Sequence, residues 1–328
     1  AMRLIAHNEE RFPKKICAGK SGKQKVRFQY FEDCYKENAF LAEDIRQTVQ
    51  NGVPLSEIAV LFRTNMQPRA LMEYMVSANL AFQTKDRIPD IYEHWIARDF
   101  FTYIRIAQGS DSRADFLSIM NRPKRYIGRD SLPDETVCFD EWMKLYEEQP
   151  WIAERIEKLW YDLKHLSRLS PYAAINYIRR GIGYDDYLAE YAEYRNANKE
   201  DFYEVADEIL ASAKGYRTFE EWFAHIEEYR QELKRLAQEK RRNQNAVTFA
   251  TLHSAKGLEF TKVYLIDVNE GVMPYKKAVL KQDVEEERRL FYVGMTRAKE
   301  SLTICSVKKM RGKEVELSRF IKEAGKEP

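Results

Sequence analysis

The feature that most limits the fold is a change of pattern along the chain. Strand-like apolar runs alternate with amphipathic helices near both ends, and runs such as Ile58–Phe62 are typical of strands buried on both faces of a parallel sheet. Residues 110–244 instead repeat large apolar side chains at helical spacing. The pattern therefore predicts a doubly wound parallel α/β domain formed by residues 1–109 and 245–328, interrupted by an all-helical domain at 110–244.

The elements of the two flanking parts are short and follow from periodicity and proline position. Pro68 suits the first turn of a helix, because that position needs no backbone N–H donor. The predicted strands are Val26–Phe31, Ile58–Phe62, Val247–Leu252, Lys262–Asp267 and Ser301–Val307. The predicted helices are Ala39–Val49, the helix that begins near Pro68, Val284–Met295 and Leu317–Ala324.

Charge separates the chain into the same parts. Residues 110–244 hold 22 Lys+Arg and 27 Asp+Glu, a net charge of −5, whereas the remaining residues hold 32 and 25, a net charge of +7. The block 110–244 also holds 12 of the 20 Tyr and 4 of the 5 Trp residues, which predicts a helical core rich in aromatic rings. The basic part is the better candidate for contacts with a polyanion.

Composition excludes several classes of protein. A hydrophobic fraction of 44% is enough for packed cores, and no apolar run approaches the roughly 18 residues of a membrane span. The Cys and His residues are dispersed and form no CxxC pair, which argues against a metal site. We therefore expect a soluble, cytoplasmic protein that neither contacts a membrane nor binds a metal through its own residues.

One segment, Ala18–Ser21, ends like a phosphate-binding P-loop. A P-loop has a further Gly five positions before its second one, where this chain has Lys14, and it lies between a strand and a helix. Here a strand is predicted to follow instead. We interpret Ala18–Ser21 as a basic turn, and we find neither a Walker A loop nor an apolar strand that ends in Asp-Glu and could hold magnesium.

Three segments place polar side chains next to predicted strands. They are Val60–Asn65 (VLFRTN), Thr251–Phe260 (TLHSAKGLEF) and Glu285–Lys299 (EEERRLFYVGMTRAK). The second follows the carboxyl end of a strand, where α/β sheets place ligands, although an ordinary polar connection would have a similar composition. In the third, helical spacing places Glu285 beside Arg288 and Arg289, and Glu286 beside Arg289, so much of this charge is expected to form surface ion pairs.

Two of these segments have residues suited to binding phosphate. Arg297 follows a Gly and a Thr just before the last long strand, where a guanidinium can bind phosphate bidentately. Arg63, Thr64 and Asn65 follow a buried strand and have the donors needed to contact a nucleic-acid backbone. They are equally suited to a turn and a helix cap before Pro68, and local chemistry leaves both alternatives open.

Taken together, the three segments resemble the UvrD/PcrA/Rep-type superfamily-I DNA helicases. TLHSAKGLEF is similar to motif V, EEERRLFYVGMTRAK to motif VI, and VLFRTN to the motif between IV and V. Arg122–Gly128 (RPKRYIG) is similar to the segment that opens the helical insertion of these proteins. The resemblance implies a RecA-like domain 2A, a P-loop NTPase-like domain without the P-loop, with a helical insertion 2B. Both would belong to the C-terminal half of a 3′–5′ helicase.

The resemblance also implies roles for individual residues. Arg297 matches the arginine finger of motif VI, which stabilises charge during phosphoryl transfer. Three motif V residues correspond to the nucleotide side of that motif: Lys256, Gly257 and Glu259. Five residues correspond to positions that contact single-stranded DNA: Thr251, His253, Arg63, Thr64 and Asn65.

The same resemblance implies cofactors and partners. ATP and Mg²⁺ would be bound mainly by the missing N-terminal 1A/1B half, which we expect as a partner together with single-stranded and junction DNA. Repair or replication proteins are expected to bind through 2B. Because this chain would form one wall of the ATP site, we expect it to be inactive alone. Two alternatives are a helicase-like subunit of a helicase–nuclease and a non-enzymatic DNA-binding or interaction module.

Overall fold

The computed structural model describes residues 1–9, 26–86, 88–239 and 245–325. Their contacts group the chain into two compact units, which we call the sheet unit (Ala1–Pro89 with Gln231–Pro328) and the helical unit (Asp90–Arg230). The domain boundaries at 110 and 244, which were inferred from charge and periodicity, stay a prediction. The P-loop-like segment Ala18–Ser21 lies outside the described residues.

The regular elements alternate as expected near both ends of the chain. The strands are β1 (Arg27–Asp33), β2 (Ile58–Phe62), β3 (Phe82–Thr84), β4 (Val247–Thr251), β5 (Phe260–Leu265), β6 (Ala298–Met310) and β7 (Lys313–Glu314). The helices are α1 (Met2–Ile5), α2 (Cys34–Gln50), α3 (Arg69–Ser77), α4 (Trp95–Ala107), α5 (Arg113–Ile119), α6 (Phe139–Lys144), α7 (Pro150–Leu166), α8 (Pro171–Arg180), α9 (Tyr184–Tyr194), α10 (Lys199–Ser212), α11 (Phe219–Glu239), α12 (Lys281–Met295) and α13 (Arg319–Glu323).

The strands form one sheet in the order β1-β6-β5-β2-β4-β3, with every neighbouring pair parallel, and β7 adds antiparallel to β6. Strand β2 is buried along its whole length, and its side chains alternate between two cores. Ala59 and Leu61 pack with Phe291 of α12 on one face. Val60 packs with Leu41 of α2 on the other. This arrangement confirms the predicted α/β class.

Several element boundaries differ from the predicted ones for local reasons. Helix α2 begins at Cys34, five residues before the predicted start, because the Asp33 side chain accepts a hydrogen bond from the Lys36 N–H (3.0 Å) and caps the helix. Strand β3 was not predicted, because three residues are too short to show a period. Strand β6 extends beyond both ends of Ser301–Val307.

The helical unit is stabilised by aromatic side chains, as its composition predicts. The Asp99 carboxylate lies within this core, accepts hydrogen bonds from Arg122 (2.7 and 2.9 Å) and from the Tyr184 hydroxyl (2.5 Å), and has its pKa raised by burial. Buried aromatic residues of this unit include Phe100, Tyr103, Phe116, Tyr184 and Trp222. None of the helices in the described ranges has both the length and the apolar character of a membrane span.

Helix α12 follows the predicted surface pairing at Arg289, which lies near Glu285 and Glu286, but not at Arg288. Arg288 points inward and binds Glu323 (2.6 and 2.9 Å) and the Asn8 side chain (2.6 Å) rather than Glu285. Arg289 remains half-exposed and pairs with Glu286 at 2.9 Å. The inward pair fixes α12 to the end of the sheet unit that carries α13.

Helix α12 also packs closely on the segment that joins β4 to β5. A Cβ added at Gly294 would overlap Leu252 Cδ2 and lie 3.2 Å from Leu265 Cδ2. Both leucines are buried in the core beneath the helix. Glycine at this position therefore allows the helix to approach the sheet and the segment 252–259.

We predict that Gly294→Ala lowers the free energy of unfolding by about 1–3 kcal/mol, because the added methyl group overpacks this core. Urea denaturation measures the change. Gly128→Ala is the matched control, since its Cβ would meet only Tyr146 at an ordinary 3.6 Å and its φ is −69°. An unchanged stability in Gly294→Ala would contradict the close packing.

Candidate functional site

The carboxyl edge of the sheet brings together the residues predicted to contact DNA. Phe62 and Thr251 are partners in the parallel register, and the Leu252 N–H donates to the Phe62 carbonyl (2.8 Å). The chain therefore leaves β2 and β4 side by side. This places Arg63–Asn65 next to the start of the segment 252–259, as the sequence predicts for the ends of neighbouring parallel strands.

The turn after β2 is held by internal hydrogen bonds. The Gln67 side-chain oxygen accepts from the Arg63 and Thr64 N–H groups, both at 2.8 Å. The Arg63 guanidinium binds the Glu287 carboxylate at 2.7–3.1 Å and lies over the Tyr275 ring, 5.2 Å from its centroid. The Arg63 side chain is therefore oriented by a carboxylate on α12, and this carboxylate also accepts from the Tyr275 N–H (3.0 Å).

Asn65 has an unsatisfied polar atom at the same edge. Its side-chain oxygen is buried and has no hydrogen-bond partner among the residues that the structure describes. An unpaired buried polar atom costs free energy, so this side chain favours a ligand that supplies the missing contact. The amide oxygen accepts and the amide nitrogen donates, so Asn65 suits either a donor or an acceptor on a nucleotide.

The end of β4 is fixed by an acidic residue that follows β3. Asp86 accepts from the Thr251 N–H (2.7 Å) and from the Ser254 hydroxyl. The Ser254 N–H in turn donates to the Thr251 hydroxyl oxygen (3.2 Å), and Thr251 is only 8% exposed. His253 projects from this turn and is exposed. The turn thus exposes the His253 side chain, and its Thr251 N–H donor is already bound by Asp86.

Two buried carboxylates lie just beyond the end of β5. The Asp267 N–H donates to Glu37 (3.3 Å), and Asp267 accepts from Gln67 (3.2 Å) and from the Cys34 thiol (3.7 Å). Burial raises the pKa of both Glu37 and Asp267. The nearby Asp267 charge raises the pKa of Glu37 further, whereas hydrogen bonds from Gln67 and Glu37 partly offset the effect of burial on Asp267. Side-chain atoms of Cys34, Glu37 and Asp267 approach one another within 4.8 Å, and the shared hydrogen bonds account for this grouping.

We predict that the contribution of Glu37 and Asp267 to stability is lost as pH rises above the ordinary carboxyl range of about 4, because at these two groups the folded state binds more protons than the unfolded one. Glu37→Gln keeps an acceptor for the Asp267 N–H without the charge. Its gain in unfolding free energy over the wild type should be larger near pH 8 than near pH 5. Urea titrations at both pH values measure this, with the exposed Glu43→Gln on the same helix as control. Equal gains at both pH values would contradict the assignment.

The segment 252–259 connects the two edges of the sheet. Strands β4 and β5 are both parallel to β2, so the chain must return from the carboxyl end of β4 to the amino end of β5. It crosses one face of the sheet in eight residues, over about 16 Å for a five-residue strand. Leu252 and Ala255 anchor it in the core under α12. The whole segment was predicted to lie at the carboxyl edge, but only its beginning lies there.

The amino edge of the sheet brings Glu259 and Arg297 together. The Phe260 N–H donates to the Arg297 carbonyl (2.9 Å), and Phe260 pairs with Ala298 where β5 and β6 begin. Glu259 and Lys256 are exposed. Gly257 has a φ of +86°, a conformation that favours glycine. Apart from its two chain neighbours, no described residue has a heavy atom within 4 Å of the position of a Cβ.

The Arg297 guanidinium is held by neutral acceptors. It donates to the carbonyls of Val293 (3.0 Å) and Leu258 (2.9 Å) and to the Thr296 hydroxyl (3.1 Å). No carboxylate among the described residues forms an ion pair with it. Its positive charge is therefore oriented without being neutralised, which suits binding of an anion.

Sequence reasoning missed the residues that orient the site. Gln67 lies four positions from Arg63, so a local side-chain cap could have been considered from the sequence. Asp86 and Glu287 are separated from their partners by 165 and 224 residues, and no local pattern indicates such contacts.

Comparison with known proteins gives consistent matches along the chain. The family model for the UvrD-like helicase C-terminal domain matches residues 1–147 and 162–309. ATP-dependent DNA helicase PcrA of Staphylococcus epidermidis is 29% identical over 355 residues, which cover 98% of this chain and 47% of that protein. PcrA of Bacillus subtilis is 28% identical, over 94% of this chain and 44% of that protein.

A third relative agrees with these two. ATP-dependent DNA helicase Rep of Salmonella typhimurium is 27% identical over 352 residues, which cover 98% of this chain and 51% of that protein. The chain thus spans about half the length of the curated relatives that it matches.

Proposed function

Because the chain belongs to the UvrD-like helicase C-terminal domain family, we propose that it supplies one wall of the ATP site and half of the DNA track of a 3′–5′ DNA helicase. The observation that supports this most directly is the segment 252–259. It joins the edge that displays His253 to the edge that carries Glu259 and Arg297. A movement of DNA at one edge can therefore be transmitted to the nucleotide at the other through eight residues.

At the amino edge, Arg297 acts as the arginine finger. Its guanidinium has no carboxylate partner in the described part of the chain, so it can interact with the charge that develops on the transferred phosphoryl group. Glu259, Lys256 and Gly257 line the same edge toward the nucleotide. In this proposal the N-terminal 1A/1B half is the partner that holds most of the ATP and the Mg²⁺.

At the carboxyl edge, His253, Thr64 and Asn65 contact the backbone of single-stranded DNA. The Arg63 side chain is bound to Glu287, so its part is to position the turn that presents Thr64 and Asn65. Thr251 holds the turn from which His253 projects. Contacts of this kind position the strand without reading its sequence.

The helical unit serves a different partner in this proposal. The acidic balance of residues 110–244 makes them a weak electrostatic grip for phosphates, so the unit contacts the duplex of a junction or binds repair or replication proteins. A helicase of this type acts on DNA in the cytoplasm.

We predict that His253→Ala weakens the binding of single-stranded DNA by the 328-residue chain about fivefold, the value of one hydrogen bond of ~1 kcal/mol. Fluorescence anisotropy with a labelled oligothymidylate measures the affinity. His7→Ala, a second exposed histidine of the sheet unit, is the control and should leave it unchanged. Equal affinities for both variants would contradict the assignment of His253.

We also predict that the chain alone has no measurable DNA-stimulated ATPase activity, because Arg297 acts on ATP that the other half must hold. A phosphate-release assay with and without single-stranded DNA should give the same background for the wild type and Arg297→Ala. In a complete helicase of this type, an arginine finger at Arg297 is expected to raise the rate of ATP hydrolysis by a factor on the order of 10³ or more. Turnover by the wild-type chain that is lost in Arg297→Ala would contradict the prediction.

A further inference from the structure

The Thr251 N–H is a backbone donor that the sheet leaves without a strand partner. The Leu252 N–H points toward β2, where it binds the Phe62 carbonyl, so the Thr251 N–H points the other way, toward β3. Strand β3 ends at Thr84, and its last backbone bond runs from the Lys85 N–H to the Phe249 carbonyl (2.9 Å). One step further along the edge, no strand carbonyl is present to accept from Thr251.

The Asp86 carboxylate occupies this position. One oxygen accepts from the Thr251 N–H at 2.7 Å and the other from the Ser254 hydroxyl. Both donors are neutral, and no cation among the described residues forms an ion pair with Asp86. A half-exposed carboxylate is thus bound by an N–H and an O–H at the edge where His253 projects.

These two donors would serve a phosphate of DNA equally well. Backbone N–H and Ser hydroxyl groups are common ligands of nucleic-acid phosphates, and a phosphodiester resembles a carboxylate in offering two anionic oxygens. The two anions cannot share the donors, because like charges about 4 Å apart repel even in a water-like medium. A phosphate can bind there only if Asp86 rotates away.

Building on the proposed function, we propose that Asp86 is an internal phosphate surrogate. It fills a phosphodiester-binding cradle formed by the Thr251 N–H and the Ser254 hydroxyl until single-stranded DNA displaces it. The exchange keeps the start of the segment 252–259 hydrogen-bonded whether or not DNA is present. It also lowers the affinity for DNA, because each binding event must remove the carboxylate.

The test compares oligothymidylate binding by the 328-residue chain and by Asp86→Asn, using anisotropy at several NaCl concentrations. Removing the charge should tighten binding about fivefold at low salt, and the gain should shrink as NaCl is raised, because salt screens the repulsion that the wild-type carboxylate exerts on the phosphate. Glu43→Gln removes an exposed charge from the same unit and should change affinity less than about twofold. If thermal melting shows that Asp86→Asn is unfolded, Asp86→Ala replaces it in the test. This variant also removes the charge and should also bind DNA more tightly than the wild type.

A double-mutant cycle then locates the phosphate. In a Ser254→Ala background the cradle has lost its hydroxyl, so the gain from Asp86→Asn should shrink to less than about twofold. An undiminished gain would place the phosphate elsewhere and overturn the cradle. Unchanged or weaker binding by Asp86→Asn, while His253→Ala still loses affinity, would overturn the surrogate and leave the proposed function standing. Absence of binding by every variant would instead refute the DNA-binding function itself, and the surrogate with it.

Discussion

The parallel pairing of β4 and β5 with β2 is the constraint on which the site depends. Two parallel strands cannot be joined by a tight turn, so the chain has to cross a face of the sheet between them. Most such crossovers contain a helix, but here eight residues suffice because Leu252 and Ala255 lie in the core beneath α12. A short connection that is anchored in the core at Leu252 and Ala255 has little freedom to absorb a displacement at either end. This short connection is the basis of the proposed coupling between the two edges of the sheet.

The two edges satisfy their polar groups in different ways. At the carboxyl edge, backbone donors are occupied by side-chain acceptors of the protein: Gln67 binds the Arg63 and Thr64 N–H groups, and Asp86 binds that of Thr251. At the amino edge, the partners of the Arg297 guanidinium within the described ranges are all neutral oxygens. The first arrangement satisfies backbone donors with side chains of the protein itself, and the second leaves a positive charge without a carboxylate partner among the described residues.

Much of the fold was predictable because its signals are local. Strand β2 lies at Ile58–Phe62 as predicted, since a continuous apolar run bounded by polar residues has few other interpretations. The α/β class was predicted from the alternation of strand-like apolar runs with amphipathic helices along the chain. The start of α2 was missed because it depends on the Asp33 cap and not on hydrophobic periodicity. Strand β3 was missed because three residues are too few to show a periodic pattern.

The sequence by itself determined the family, the parallel sheet, and the residue types available at each strand end, because motifs and periodicities are properties of neighbouring residues. Only the tertiary structure decided which of those residues are free to bind a ligand. The Arg63 guanidinium is held by Glu287 and the Thr251 N–H by Asp86, whereas Arg297 has no carboxylate partner in the described residues. Such pairings join residues far apart in the chain, and they depend on strand order and helix packing, which no local pattern records.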